Sequence, residues 1–329
     1  MTSANLDIVA IGDAIVDVIA TCDDAFLIEH DLPKGSMRVL DAGQADALYA
    51  AMGPARETSG GSAANTMAGV AAMGGRAGFV GQVADDQLGA IFTHDIRALG
   101  VDFQTPPKAD GSPTGRCLIL VTPDAQRTMN TFRGAAHELS VDALDPEQIR
   151  NAAILYLEAY LWRSAGPRGA MDEAMRIAHE AGRKVAFTLS DIACIGPHRH
   201  EIMAMLDTGA IDMLFANDAE IRALAETDDR NAAVAAIRGK VPLLVVTCGA
   251  EGAMAVQGEH EARVPIARIG KGVIDTTGAG DLFAAGFLVA QARGRSLDDS
   301  LRIGSIAAAE VISHFGARPE PGLKALVGL

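Results

Sequence analysis

Residues 275–287 have the sequence DTTGAGDLFAAGF, in which a glycine-rich turn runs directly into an apolar helical segment. Gly278 and Gly280 let the backbone approach a ligand closely, and the first N–H groups of a helix attract anions such as phosphate. Asp281 places a carboxylate in the first turn, where it can take a proton from a hydroxyl group that attacks that phosphate. The pattern predicts phosphoryl transfer to an alcohol. The alternative is an acidic residue that only stabilises the start of a helix.

A dinucleotide-binding dehydrogenase is the main rival enzyme class for a Gly-Ala-Gly turn. Its G-x-G-x-x-G pattern requires a third glycine, but Phe283 occupies that position. The sequence therefore argues against a dehydrogenase.

The whole stretch of residues 275–287 resembles the second signature of the ribokinase (PfkB) family of sugar and nucleoside kinases. The resemblance implies that Asp281 is the general base and that the N–H groups of Gly278, Ala279 and Gly280 hold the phosphoryl group during transfer. It also implies ATP as the phosphate donor, accompanied by Mg²⁺, and it allows a monovalent cation near Asp275.

A second glycine-rich stretch, GGSAAN, covers residues 60–65 and opens a helix expected over residues 62–73, with Ser62 as its N-cap. Its small residues would let a polar ligand lie against exposed N–H groups, and Asn65 offers both a donor and an acceptor to a sugar diol. An ordinary loop followed by a closely packed helix is the alternative. Residues 60–89 resemble the first signature of the family, which implies that Gly61 and Asn65 bind the phosphate acceptor.

Two acidic residues, Asp13 and Asp17, follow the apolar run Leu6–Ile11. Ligands of open α/β sheets bind beyond the carboxyl ends of the strands, and a carboxylate there can accept hydrogen bonds from vicinal hydroxyl groups. The resemblance identifies Asp17 with the residue that binds the sugar in family members. Asp13 is a second candidate, with a solvated acidic turn residue as the alternative.

Two later segments are expected to bind the nucleotide. Asn217 and Glu220 form an N-x-x-E motif after a strand, and the resemblance implies that they position Mg²⁺ and phosphate, largely through water. Helix capping is the alternative for both. Thr247, Gly249 and Gly252 belong to a V-T-x-G-x-x-G segment that approaches the nucleotide in family members, with an ordinary hairpin turn as the alternative.

Repeated β-then-α units in the second half of the chain predict a mostly parallel sheet covered by helices on both faces. The sequence contains no linker or low-complexity block, so residues 1–329 are expected to form a single α/β domain. The resemblance implies a ribokinase-like three-layer fold.

Two β-patterned segments, residues 14–42 and 113–134, interrupt this order and are expected to form a small separate sheet, a β lid. By resemblance to adenosine kinases, Arg127 on this lid folds over the ATP phosphates. An exposed surface arginine is the alternative.

The amino-acid composition and net charge argue against some classes of protein. The 329 residues include 49% hydrophobic side chains and carry a formal net charge of −14, which argues against a nucleic-acid or anionic-membrane surface. Four scattered cysteines suggest free thiols in a reducing compartment, and neither a signal peptide nor a membrane span is expected. We expect a cytoplasmic monomer or homodimer that acts on a small-molecule nucleoside or sugar.

Within the family, residues 156–162 and 188–191 resemble bacterial adenosine kinases. Adenosine is therefore the first expected acceptor, and another ribonucleoside or a furanose sugar such as ribose or fructose is the second. A nucleotide-sensing paralogue that keeps the fold without the chemistry is the non-enzyme alternative, and the presence of Asp281 argues against it.

Overall fold

The computed structural model describes residues 5–124, 126–268 and 272–329. The strands, in chain order, are β1 (Leu6–Ile11), β2 (Ile15–Thr21), β3 (Met37–Val39), β4 (Ala55–Gly60), β5 (Ala77–Val80), β6 (Asp102–Phe103), β7 (Gly115–Val121), β8 (Arg127–Phe132), β9 (Ala152–Glu158), β10 (Lys184–Thr188), β11 (Met213–Asn217), β12 (Leu243–Thr247), β13 (Ala253–Gln257) and β14 (His260–Val264). The helices are α1 (Asp24–Glu29), α2 (Ala42–Ala51), α3 (Ser62–Ala72), α4 (Gln87–Ala98), α5 (Pro146–Arg150), α6 (Ala159–Trp162), α7 (Ala165–Glu180), α8 (Ile192–Asp207), α9 (Asp218–Ala225), α10 (Arg230–Ile237), α11 (Ala279–Ala292), α12 (Leu297–Val311) and α13 (Leu323–Val327).

A large sheet forms the centre of the described chain. Its nine described strands follow the order β14-β13-β12-β11-β10-β9-β1-β5-β6. The strands from β12 to β6 pair in parallel, whereas β13 and β14 pair antiparallel at one edge. The predicted α/β fold with a mostly parallel central sheet is confirmed.

Side chains on the two faces of this sheet enter two different apolar cores. In β1, Ile8 and Ala10 pack in the core that also contains α3, α11 and α12. Val9 and Ile11 pack in the core that contains α7, α8 and α9. Because successive side chains of a strand point to opposite faces, the part of a strand that is buried on both sides is apolar throughout, which is why residues 8–11 of β1 show no alternation. In the described parts of the chain, no helix is both long and apolar enough to cross a membrane.

A second sheet, which we call the lid sheet, has five described strands in the order β3-β8-β7-β2-β4. Four of its strands come from the two segments that interrupt the regular order, but β4 (Ala55–Gly60) lies outside them. The sequence of β4, ARETSG, shows little apolar patterning. It becomes a strand because it pairs antiparallel with β2 over its whole length, and sequence patterns do not report such a tertiary pairing.

The start of α8 differs from the expectation. The sequence suggests a helix over residues 197–206. The helix begins at Ile192 instead, since the Asp191 side chain accepts a hydrogen bond from the Ala193 N–H over 2.7 Å and caps it. Pro197 therefore lies inside the helix.

Candidate active site

A cavity of about 490 Å³ lies where the carboxyl ends of the central strands meet the lid sheet. Parallel strands bring the residues that follow them to one edge of a sheet, and ligands bind there. The cavity lining includes most of the predicted site residues: Asp13, Asp17, Gly61, Asn65, Asn217, Glu220, Thr247, Gly278, Ala279, Gly280 and Asp281. Gly249, Gly252 and Arg127 do not line it.

The predicted anion site is the N-terminus of α11. Gly278 is its N-cap with a left-handed backbone (φ 78°), and a Cβ at this position would lie 2.8 Å from the Ala317 Cα. Among the described residues, the N–H groups of Gly278 and Gly280 have no hydrogen-bond partner. The Ala279 N–H donates to the Thr276 carbonyl over 3.2 Å, so it would have to exchange this bond for a ligand.

Asp281 is held by two residues of α3. Its Oδ1 accepts a hydrogen bond from the Ser62 hydroxyl over 2.6 Å, and its Oδ2 accepts one from Asn65 Nδ2 over 3.0 Å. Burial raises the pKa of Asp281, and these two hydrogen bonds oppose the rise. The sequence predicted Ser62 as the N-cap of α3, and this prediction is wrong. Gly61 takes that position, and the serine side chain points at Asp281.

The adjacent glycines Gly60 and Gly61 make room for two carboxyl-bearing residues. A Cβ on Gly60 would lie 2.4 Å from the carboxyl carbon of Asp17, and one on Gly61 would lie 2.1 Å from the carbonyl oxygen of Asp13. Gly61 also has a φ of 93°, which disfavours other residues. The two glycines thus let the end of β4 pack closely against Asp17 and Asp13, which are predicted to bind the acceptor.

Asp17 is a partly buried carboxyl group with basic neighbours. Burial raises its pKa to about 6, although the charges of Arg318 and Arg127 lower it. Such a group is poised to ionise near neutral pH and accept hydrogen bonds from a bound ligand.

Arg318 was not identified as a site residue from the sequence. Its guanidinium donates to the Ser59 carbonyl over 2.8 Å and to the Ala64 carbonyl over 2.8 Å. Its charge acts on both Asp17 and Asp281, so it tempers the repulsion between these two carboxylates. No local sequence pattern marks this role, because Arg318 reaches the site only through the packing of the C-terminal segment.

Glu158 was also missed as a site residue. Its two carboxylate oxygens accept hydrogen bonds from the Asp13 N–H over 2.6 Å and from the Ala63 N–H over 2.7 Å. Glu158 is fully buried, and this burial raises its pKa well above the ordinary value. It joins the turn after β1 to the start of α3 and so sets the distance between these two parts of the predicted acceptor site.

Two buried oxygens in this region lack a hydrogen bond among the described residues. They are Asp13 Oδ1 and Asn65 Oδ1. Asp13 Oδ1 lies 3.3 Å from His137 Nε2, but this contact lacks hydrogen-bond geometry. Buried polar atoms are normally satisfied, so these oxygens are suited to hydroxyl groups of a ligand.

The N-x-x-E motif forms a capping box at the start of α9. Asn217 Oδ1 accepts a hydrogen bond from the Glu220 N–H over 2.8 Å, and the Glu220 carboxylate accepts bonds from the Asn217 N–H over 2.9 Å and from its Nδ2 over 2.7 Å. Burial raises the pKa of Glu220 to about 7. Both Glu220 oxygens are thus engaged by Asn217, an arrangement that fits contact with hydrated Mg²⁺ through water better than direct ligation.

The V-T-x-G-x-x-G segment is the turn between β12 and β13. Thr247 ends β12 and lines the cavity. Gly249 and Gly252 have positive φ angles of 57° and 98°, and a Cβ on Gly252 would lie 2.0 Å from the Val264 carbonyl oxygen. These glycines shape the turn beside the cavity.

Arg127 connects the lid sheet to the loop before α11. It forms an ion pair with Asp275 and donates to the Thr277 hydroxyl over 3.0 Å. Its side chain is only 12% exposed, so it is not a free surface arginine. Burial acts to raise the pKa of Asp275, but hydrogen bonds from Gly316 and Thr277 outweigh it and lower that pKa.

Asp275 has no free carboxylate oxygen for a monovalent cation. Its Oδ1 accepts bonds from the Thr277 N–H and hydroxyl over 3.0 and 2.7 Å, and its Oδ2 accepts one from the Gly316 N–H over 2.8 Å. Arg127 supplies the positive charge at this carboxylate. A cation near Asp275 stays a prediction, and its binding to this side chain would require Arg127 to move.

Comparison with known proteins gives a consistent family match. The family described as pfkB family carbohydrate kinase matches residues 5–322. The chain is 46% identical to the crystal structure of adenosine kinase from Sinorhizobium meliloti, with a TM-score of 0.91 and 98% of each chain covered. It is 44% identical to a probable sugar kinase from Rhizobium etli, with a TM-score of 0.93, covering 99% of this chain and 98% of that one.

A more distant relative has a different acceptor in its name. The chain is 30% identical over 281 residues to the ATP-dependent ribose-1-phosphate kinase of Halopiger xanaduensis, with 81% of this chain and 84% of that protein covered.

Proposed function

Because the chain belongs to the pfkB family of carbohydrate kinases and is a phosphotransferase that acts on an alcohol group, we propose that it transfers the γ-phosphate of ATP to the primary hydroxyl of a ribonucleoside. Adenosine is the first candidate, because the adenosine kinase of S. meliloti is 46% identical over nearly the whole chain. A furanose sugar is the alternative acceptor, since other relatives are named as sugar or fructose kinases.

The position of Asp281 carries this proposal. The carboxylate lies in the first turn of α11, next to N–H groups of Gly278 and Gly280 that have no partner among the described residues. A hydroxyl group bound here can give its proton to Asp281 while the N–H groups stabilise the negative charge on the phosphoryl group. The proposed reaction breaks the bond between the γ-phosphorus and its bridging oxygen and forms a new phosphate ester on the acceptor. ADP leaves, and the proton of the hydroxyl passes to Asp281.

The acceptor is proposed to lie between the start of α3 and the lid sheet. Asp17 would accept hydrogen bonds from the diol, and Gly61, Asn65 and Asp13 would bind the remaining hydroxyl groups. This assignment is supported by the oxygens of Asp13 and Asn65 that lack a hydrogen bond among the described residues, and by the raised pKa of the partly buried Asp17.

The nucleotide is proposed to lie along the ends of β11 and β12. Asn217, Thr247, Gly249 and Gly252 would border it, and Arg127 would approach its phosphates from the lid sheet. Glu220 and Asn217 would hold hydrated Mg²⁺, which neutralises phosphate charge when it is bound.

The apolar side chains of the lid sheet favour a ribonucleoside over a free sugar as the acceptor. Its side chains that line the cavity are largely apolar: Ile15, Met37, Val39, Ile119 and Met129. Apolar and polarisable side chains suit the faces of a planar base, whereas a small sugar would present hydroxyl groups to them.

A panel of acceptors tests the proposal. The purified protein would be incubated with ATP, Mg²⁺ and adenosine, inosine, ribose or fructose, and ADP release and the phosphorylated product would be measured. We expect adenosine 5′-phosphate as the main product. Exclusive phosphorylation of ribose or fructose would support the sugar alternative, and the absence of any product would contradict the proposed reaction.

A further inference from the structure

His137 lies behind the wall of the cavity, between a predicted acceptor-binding residue and the start of a helix. It belongs to the short 3-10 helix Gly134–Glu138 that follows β8, and it does not line the cavity. On one side, its Nε2 lies 3.3 Å from Oδ1 of Asp13, which does line the cavity. On the other side, its Nδ1 lies 2.6 Å from the hydroxyl oxygen of Ser164. The imidazole ring therefore connects the predicted acceptor site to the start of α7.

Ser164 directs its hydroxyl group to His137 and not to its own helix. It is the N-cap of α7, and a serine in this position usually accepts a hydrogen bond from an N–H group of the first helical turn. Its side chain makes no such bond. The hydroxyl group lies within hydrogen-bond distance of the imidazole ring, so the contact with His137 takes the place of helix capping.

The two facing atoms of Asp13 and His137 are both left without a hydrogen bond. Asp13 Oδ1 and His137 Nε2 are buried, and neither has a partner among the described residues. Each of the two side chains is only 11% exposed, so bulk water is a poor replacement for the missing partner. Buried polar atoms without a partner are costly, and these two are close enough for a small rotation of the carboxyl group to join them.

The neighbours of His137 determine which ring nitrogen carries the hydrogen. An ionised Asp13 carboxylate can only accept hydrogen bonds, so an unprotonated Nε2 would place two acceptors 3.3 Å apart. With the hydrogen on Nε2, the ring can donate to Asp13, and Nδ1 can accept the hydroxyl hydrogen of Ser164. This arrangement of a neutral ring gives both nitrogens a suitable partner.

A carboxylate has about four acceptor positions, so Asp13 can accept a hydrogen bond from His137 and still bind hydroxyl groups of a ligand. We infer that His137 is a positioning residue for the acceptor: its Nε2–H donates to Asp13 and holds the carboxylate in the orientation that binds the acceptor, and Ser164 fixes the ring. The inference rests on the proposed kinase reaction, and it adds a residue outside the cavity to the acceptor site of that reaction.

Two amide variants of His137 separate the two sides of the ring. Glutamine places its amide nitrogen near the position of Nε2, so His137→Gln keeps a donor for Asp13 and loses the contact with Ser164. Asparagine reaches only the position of Nδ1, so His137→Asn keeps the contact with Ser164 and loses the donor. We expect His137→Asn to raise KM for adenosine about 10-fold, with little change in kcat or in KM for ATP. His137→Gln should keep KM close to the wild-type value.

A matched histidine provides the control. His179 Nε2 lies 3.2 Å from Asp212 Oδ2, but this pair is exposed and lies outside the cavity lining. His179→Asn should leave KM for adenosine unchanged. If only variants of His137 change KM, the effect belongs to the contact with Asp13 and not to the loss of any histidine beside an aspartate.

Two further measurements test the link between His137 and Asp13 directly. In an Asp13→Ala background, His137→Asn should cause no further rise in KM, because the carboxylate that His137 orients is gone. In protein with isotope-labelled histidine, NMR should show a hydrogen on Nε2 of His137, identified by the signals that His137→Gln lacks. This second measurement does not depend on activity.

Several results would decide against the inference. It is wrong if His137→Asn leaves KM unchanged, if both amide variants raise KM equally, if the effect of His137→Asn persists in full without the Asp13 carboxylate, or if Nε2 carries no hydrogen. In each case the proposed kinase reaction stands as long as wild-type protein phosphorylates the acceptor. If His137→Asn does not fold, Ser164→Ala, which releases the ring, should raise KM for adenosine, and Ser164→Thr should not.

The acceptor panel keeps failure of the inference distinct from failure of the proposed reaction. If wild-type protein phosphorylates ribose or fructose and not adenosine, that sugar replaces adenosine in the same comparison. Failure of wild-type protein with adenosine, inosine, ribose and fructose would contradict the proposed reaction and the inference with it.

Discussion

Asn65 Nδ2 donates a hydrogen bond to Asp281 Oδ2 over 3.0 Å and so joins residues that are 216 positions apart in the chain. The two residues belong to the two glycine-rich stretches that the sequence presents separately. Their contact places the start of α3 against the start of α11, so that the proposed acceptor site and the proposed anion site share one wall. It also fixes the orientation of the carboxylate, because Ser62 holds the other oxygen of Asp281.

Replacement of Asp281 by asparagine should abolish most turnover. The amide keeps the shape of the side chain but cannot take the proton of the acceptor, and loss of a general base typically lowers the rate about 10²- to 10⁴-fold. We expect kcat to fall by this factor while the affinity for ATP, measured by calorimetry, changes little. Near-normal turnover by the purified, folded variant would remove Asp281 from the catalytic role.

Replacement of Asp17 by alanine should weaken the acceptor far more than ATP. Loss of charge-assisted hydrogen bonds to a diol costs roughly 1.5–3 kcal/mol, which corresponds to about a 10- to 150-fold rise in the dissociation constant of the acceptor. Separate titrations with acceptor and ATP measure the two affinities. Equal losses for both ligands would indicate a folding defect or a mistaken site.

The pH dependence of kcat/KM for the acceptor should show the ionisation of Asp17. Burial raises its pKa to about 6, so the carboxylate that accepts hydrogen bonds forms as the pH rises through that value. We expect kcat/KM to increase with pH around 6, and Asp17→Asn should remove this limb of the profile. A wild-type profile that is flat between pH 5 and 7 would contradict the assignment.

The raised pKa of Asp17 should also make the folding stability depend on pH. The folded-state pKa of Asp17 lies above the ordinary value of 3.8, so the folded protein binds more protons than the unfolded chain between 3.8 and about 6. The Asp17 contribution to the free energy of unfolding therefore decreases as the pH rises through this range. Chemical denaturation gives the free energy of unfolding of the wild-type protein and of Asp17→Asn at each pH. The value for the variant minus the value for the wild type should increase from pH 4 to pH 7. A constant difference would contradict the raised pKa.

Replacement of Glu220 by glutamine separates helix capping from metal binding. Glutamine can still accept the Asn217 N–H in a capping box, but its amide nitrogen cannot accept the bond from Asn217 Nδ2, so the free energy of unfolding at pH 7 should fall by about 1 kcal/mol. If Glu220 holds hydrated Mg²⁺, the Mg²⁺ concentration that gives half-maximal activity should rise about 10-fold, as is typical when an outer-shell partner is lost. Initial rates over a Mg²⁺ titration at fixed ATP give this value. An unchanged Mg²⁺ requirement would leave Glu220 with only its capping role.

Binding of the acceptor should close the lid sheet over the cavity. Closure excludes water, which would otherwise compete for the γ-phosphate. We expect amide hydrogen exchange to slow in residues 14–42 and 113–134, and also in β4, when the acceptor binds. Leu6–Ile11 and Leu243–Thr247 in the central sheet should change much less. Uniform protection, or protection confined to residues 278–281, would contradict the lid assignment.

The local sequence was sufficient to predict those features of the structure that depend only on neighbouring residues. The apolar run Leu6–Ile11 predicted a strand buried on both faces, and the glycine-rich turn before Asp281 predicted a helix N-terminus, because backbone conformation and hydrophobic periodicity act over a few residues. The N-x-x-E motif likewise contains its own capping box, since Asn217 and Glu220 contact each other across one helical turn. The family and the α/β fold followed from such segments and their order.

Only the tertiary structure determined which distant groups meet. Ser62 was expected to cap its own helix, but the packing of α3 against α11 turned its hydroxyl toward Asp281. Glu158 and Arg318 reach the site from β9 and from the C-terminal segment, and neither residue is marked by its neighbours in the sequence. Their side chains are held by hydrogen bonds and charges across more than 90 positions, and such long-range contacts arise only when the whole sheet and its helices have assembled.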